Sequence, residues 1–142
     1  MNNYLNTTKI VESYLSTKNI DISNHIYEGN YRFVMNNWFI GCESCVEISV
    51  NKRNCTFSYK MYYNIKAVTR GERRNLSEYF TMANKRSDYI CFAGINDDGQ
   101  TYVEVRLDFE SFPLTSLEQL QRFEKICSSR IAGDRIVVEE IR

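Results

Sequence analysis

The chain has 142 residues, 43% hydrophobic and 25% charged, with 18 Lys and Arg against 18 Asp and Glu. That length suits one domain able to bury a core without staples, and the composition excludes a disordered or collagen-like chain. A formal net charge of zero leaves no whole-molecule field to recruit nucleic acid or an acidic surface.

The N-terminus, Met1-Asn2-Asn3-Tyr4, has no charged segment ahead of an apolar run, so no signal peptide is expected. No uncharged apolar run approaches the roughly 20 residues a membrane helix needs, so no membrane partner is expected either. The five cysteines (Cys42, Cys45, Cys55, Cys91, Cys127) are an odd number and read as free thiols in a reducing, cytoplasmic setting.

Tyr4, Leu5, Thr8, Val11, Tyr14 and Leu15 recur at helical spacing and predict a helix near residues 3–17, capped by Asn2 or Asn3. A polar connection follows, with Ile20 and Ile22 as anchors and His25, the single histidine. Gly29-Asn30 opens a β region in which Tyr31, Phe33 and Met35 alternate with Arg32 and Val34. Asn36-Asn37 then turns the chain into Trp38-Phe39-Ile40. Gly41 to Cys45 reads as small and irregular, and Val46, Ile48 and Val50 mark a further strand.

Lys52-Arg53-Asn54 delivers the chain to its longest alternating stretch, Cys55 to Val68. Its odd positions from Cys55 to Ala67 are apolar or aromatic, and its even positions are polar except Tyr62, so one face is dry and the other wet. Thr69 and Glu72 have capping-box spacing. Leu76, Tyr79, Phe80 and Ala83 then predict an amphipathic helix over about 71–85. Tyr89 to Ile95 is nearly continuous in apolar residues, which predicts a strand buried on both faces. Asp97-Asp98-Gly99 is a turn signal, and Thr101 to Phe109 alternates again.

Thr115 and Glu118 repeat the capping-box spacing, and Leu117, Leu120, Phe123 and Cys127 predict a third helix to about Arg130, with Gly133 as its stop. Residues 135–141 are β-branched enough for a short C-terminal strand, with a helical ending as the alternative. One domain is expected over 1–142. It is of the α+β class: an antiparallel sheet with helices packed on one face, in the order α-β-β-β(-β)-α-β-β-α.

This order and spacing resemble the bacterial YbjN family, whose fold is similar to that of type III secretion chaperones. The resemblance spans about residues 1–130. Its most telling part is the helix ending Tyr79-Phe80-Thr81-Met82-Ala83-Asn84, followed by a short loop and the hairpin Tyr89–Phe109. It implies a non-catalytic interaction or regulatory protein and carries over no catalytic residues. A strand at 135–141 would depart from the family's helical end.

Charge is unevenly spread along the chain. Residues 51–86 hold Lys52, Arg53, Lys60, Lys66, Arg70, Arg73, Arg74, Lys85 and Arg86 against only Glu72 and Glu78. Three arginines opening a helix oppose its dipole, which hints at an external anion or acidic partner. Lys60, Tyr62, Lys66, Arg70, Arg73 and Arg74 are therefore the candidate binding residues. Nucleic acid is the weaker reading, because stacking modules present two or three aromatics and only Tyr62 is in place.

Cys42-Glu43-Ser44-Cys45 is the alternative, a small thiol-redox site. The flanks are strand-like, however, and lack the helix N-terminus that activates such a pair. His25 beside a cysteine is more simply an ordinary surface residue than a catalytic base. No second ligand pair supports a metal, and no cofactor is expected. The leading expectation is a cytoplasmic, non-catalytic module whose partner is a protein, or a second copy of itself in a homodimer. Strand pairing at an overhanging end of Cys55–Val68 would be one route to it.

Overall fold

The structure, a computed structural model, describes residues 3–20, 29–37, 42–86 and 91–141. Its elements are α1 (Asn3–Thr17), β1 (Asn30–Asn37), β2 (Cys42–Asn51), β3 (Thr56–Lys66), α2 (Arg70–Arg86), β4 (Cys91–Ile95), β5 (Gln100–Asp108) and α3 (Leu117–Ile141). The five strands form one antiparallel sheet in the order β1-β2-β3-β5-β4. The α+β architecture is the one the periodicities predict.

The long alternating stretch becomes β3, the middle strand. Phe57, Tyr59 and Met61 on its dry face are fully buried. Each helix sends an aromatic ring onto this face. Tyr14 of α1 meets Tyr59 edge-on at 6.0 Å, Phe123 of α3 lies 6.0 Å from Phe57, and Phe80 of α2 lies 5.7 Å from Tyr63. Burying a side chain of this size contributes roughly 2–3 kcal/mol. The helices are thus held by the same strand that centres the sheet.

Several expectations need correction. The strand starts at Thr56, because Cys55 has φ +53°, and its register against β5 shifts between Tyr62 and Lys66, where Asn64 has φ +62°. Asparagine tolerates that left-handed conformation better than most residues, so the break falls where the sequence allows it. From Thr56 to Met61 the strand is paired on both sides, but its pairing with β2 ends at Met61 and the stretch to Lys66 runs on beside β5 alone, so the expected overhang exists on the β2 side. The stretch after Gly41 is not irregular, since β2 begins at Cys42. Nor is β4 buried on both faces: it is an edge strand, and Phe92 is 36% exposed. Trp38, His25 and the Tyr89-Ile90 pair lie outside the described residues.

The Asp97-Asp98-Gly99 turn forms as expected. Asn96 Oδ1 accepts from the backbone N–H of Asp98 and of Gln100. Gly99 has φ +84°, and a Cβ there would sit 2.2 Å from the Ala67 carbonyl oxygen, so glycine is required.

At α2 the capping box is complete: Glu72 N–H donates to Thr69 Oγ1 at 3.1 Å, and Thr69 N–H donates to Glu72 Oε1 at 3.0 Å. At α3 the cap is displaced by one residue from the expected pair. Gln119 Oε1 accepts from the N–H groups of Thr115 and Ser116.

The largest correction lies at the C-terminus. α3 runs unbroken to Ile141, with no stop at Gly133 and no last strand. Ile131 and Val138, seven residues apart on one helical face, are both fully buried, and that packing outweighs the weak propensity of one exposed glycine. A Cβ at Gly133 would meet nothing within 4 Å. Gly133→Ala should therefore raise the unfolding free energy by about 1 kcal/mol, read from the urea midpoint. A loss of stability would mean that the helix breaks there after all.

Candidate functional site

Two surfaces carry chemistry. The first is a groove of about 640 Å³ between α2 and α3, floored by the start of β4. Met82, Ala83 and Ile126 give it apolar walls, and Arg86, Arg122 and Lys125 stand around them. Met82 is 55% exposed and stands beside Ala83 and Ile126. Arg86, Arg122 and Lys125 are exposed and make no ion pair among the described residues.

Beneath the groove lies a fixed polar network. Asp134 accepts from Tyr63 Oη and Tyr79 Oη, each at 3.0 Å, and pairs with Arg130 Nε at 3.3 Å. Arg130 reaches on to the Cys91 carbonyl at 3.0 Å and to Asn84 Oδ1 at 2.5 Å. Asn84 in turn clasps Ala93 of β4, its Nδ2 donating to the carbonyl and its Oδ1 accepting from the N–H, both at 2.9 Å. The outer edge of β4 is thereby bonded by side chains from α2 and α3 and closed to strand addition.

Cys91 and Cys127 are both buried, with Cys91 on the groove floor. The neighbouring Cys127 thiol and the Arg130 guanidinium hold the Cys91 thiol below its usual range, while Cys91 and burial push Cys127 up. Neither cysteine entered the sequence reading of the site.

The second surface is the face of the sheet that carries no helix. One row across the strands runs Arg32, Glu47, Lys60, Glu104, Phe92, alternating in charge. Lys60 lies 4.0 Å from Glu104 and 4.4 Å from the Tyr102 ring centre, and Ser58 Oγ donates to Glu104. The next row holds Tyr62 against Tyr102, ring centres 6.2 Å apart, with the Arg32 guanidinium 5.8 Å from the Tyr62 ring. Tyr102 also leans over Gly94 of β4, where a Cβ would approach its hydroxyl to 2.9 Å.

The predicted binding residues are only partly brought together. Tyr62 and Lys66 line a smaller cavity of about 320 Å³ with Arg32 and Cys45, but Tyr62 is 6% exposed rather than open to solvent. Lys60 is occupied by Glu104. Arg70, Arg73 and Arg74 sit at the start of α2, where Arg73 donates to the Asp97 carbonyl at 3.2 Å. Cys42 and Cys45 lie within regular strand β2, with Arg32 Nε 3.4 Å from Cys45 Sγ, and no helix begins there. The Cys42 side chain lies outside what is described.

The groove cations were missed because charge was counted along the chain. Arg122, Lys125 and Arg130 belong to a segment that is acidic in total, yet their spacing at i, i+3 and i+8 places them along one side of a helix.

No family model matches the chain, and no curated protein matches it. Among solved structures it is similar to the Yersinia pestis type III secretion chaperone SycH, determined in complex with a stable fragment of YscM2. The TM-score is 0.57 at 11% identity, covering 88% of this chain and 96% of that one. The likeness shows a fold similar to that chaperone's.

Proposed function

We propose that the chain is a non-catalytic protein-binding module of the secretion-chaperone-like kind, working in the cytoplasm and akin to the YbjN proteins. The observation that carries this reading is the architecture shared with SycH along 88% of the chain, because that chaperone was captured with a protein fragment bound. The two sheet edges add support. β4 is closed by Asn84 and Arg130, whereas β1 is paired only to β2 among the described residues and offers backbone donors and acceptors to a partner strand. A second copy pairing through β1 would give the homodimer.

Display of random 16-residue peptides tests the reading, followed by calorimetry on the selected sequences and light scattering over a concentration and salt series. Selected peptides binding with Kd of about 10 μM or tighter are expected, roughly the strength of one well-placed segment. A monomer at every concentration together with no enriched peptide would sink it. Reversible, turnover-competent oxidation of Cys42 and Cys45 in a glutathione buffer would shift the assignment to the thiol alternative.

A further inference from the structure

We infer that the groove between α2 and α3 docks an acidic, amphipathic segment of a partner protein. The inference rests on the protein-binding reading above and names both the surface and the chemistry of what it takes.

The argument begins with what the groove exposes. Met82 stands 55% open beside Ala83 and Ile126, giving apolar area that water solvates poorly. Around it are Arg86 on one wall and Arg122 and Lys125 on the other, all exposed and none ion-paired among the described residues. Asp134, the carboxylate among the described lining residues, is already committed to Tyr63, Tyr79 and Arg130. Among the described residues the groove walls therefore carry positive charge without an ion-pair partner beside apolar side chains, and the complement of that pattern is acidic and apolar together.

The spacing favours a polypeptide. Arg122 and Lys125 are separated by about 4.5 Å of helical rise, and Arg86 faces them from the other helix. A fatty acid or other single-headed anion neutralises one of these cations and leaves two unmet. Successive carboxylates on one side of a peptide meet all three, while its apolar side chains cover Met82 and Ile126. A second copy fits poorly, because a two-fold contact of groove on groove sets the same cations against one another. The groove is also firm: Arg130 and Asn84 tie both helices to β4, so little ordering remains to oppose docking.

The test uses the full chain and the display library described above. Selected peptides should be enriched in Asp and Glu interspersed with Leu, Phe or Met, and their affinity should fall with added NaCl. The double reversal Arg122→Glu, Lys125→Glu should weaken the best peptide by about tenfold or more. Met82→Glu should weaken it comparably. Lys60→Glu, on the opposite face of the sheet, should leave it unchanged. All the replaced groove side chains are exposed, so circular dichroism should show the fold retained.

Binders that are not acidic, or that ignore the groove reversals, overturn the inference. If such binders instead respond to changes at β1 or at Lys60, the protein-binding reading survives and the groove assignment alone fails. If no peptide is enriched, the groove inference fails, and if the chain is also a monomer at every concentration the protein-binding reading fails with it. Displacement of a selected peptide by micromolar dodecanoate or by phosphatidylserine vesicles would overturn the inference in favour of a lipid occupant.

Discussion

Arg130→Ala should lower the unfolding free energy by about 3 kcal/mol, and the melting temperature by about 10 °C, more than any surface change. The guanidinium joins α3, α2 and β4 at one point, through Asp134, Asn84 and the Cys91 carbonyl. Removing it leaves a largely buried carboxylate with two phenols but no cation, and leaves an edge carbonyl without its donor. Unpaired groups of this kind cost more than the intact pair contributes. Arg130→Lys should recover less than half of the loss, because a single ammonium cannot span three acceptors that a planar fork reaches together. Thermal and urea unfolding of both variants checks this. Equal recovery by Lys would mean that only charge matters at this point.

The second large effect is alkaline. Tyr14, Tyr59 and Tyr63 are fully buried, and all three phenols are held well above their ordinary pKa. Burial is the main cause for each. The hydrogen bond to Glu124 adds to it at Tyr14, Tyr14 itself at Tyr59, and the charge of Asp134 at Tyr63.

In the unfolded chain these groups ionise near pH 10. Below that pH both states keep the protons and stability is unaffected. Above it the unfolded state releases protons that the native state retains, so stability falls with rising pH until the native phenols also ionise. Each phenol contributes a slope of about 1.4 kcal/mol per pH unit, so the three together give about 4. Tyr62, pushed up to about 12 by burial and by Glu47, adds to the first part of the window.

Urea midpoints should therefore be level up to about pH 9 and then drop steeply, with a burst of tyrosinate absorbance at the unfolding step. Tyr59→Phe should flatten the slope by about a third. Native protein whose phenols all titrate near pH 10 would contradict the account.

Much of this fold could be read before seeing it, and the reason is periodicity. Phe57, Tyr59, Met61 and Tyr63 announce a strand by alternation, and Leu76, Tyr79, Phe80 and Ala83 announce a helix by spacing. Both patterns record which face must be dry. Misreadings arose where tertiary packing overruled a local signal. Gly133 has the look of a helix stop, but Ile131 and Val138 need one continuous face against the core. The apolar run ending at Ile95 read as a doubly buried strand, yet it belongs to an edge whose open backbone is bonded by side chains from Asn84 and Arg130.

The site was less legible, because charge along the chain is not charge in space. Lys60 belongs to the most basic segment, but its cross-strand neighbour is Glu104 from an acidic one, and they neutralise each other. Arg122 and Lys125 belong to an acidic segment and yet line a basic groove with Arg86. Only the pairing of strands and the packing of two helices reveal this, and no count over a window reports either.

The Tyr102 ring lying over Gly94 has a consequence for alignment. If the β4–β5 hairpin slipped by one residue, every core side chain would turn to the wrong face, and burial alone forbids it. A slip by two residues keeps every face correct, so the hydrophobic pattern cannot reject it. Shape can. Gly94 leaves an empty notch that the Tyr102 ring fills, and the residues two places away are Phe92 on β4 and Asn96 just past its end, both with side chains where Gly94 has none. A glycine opposite a tyrosine therefore works as a key in a slot. It selects one alignment from a set that greasiness would treat as equivalent.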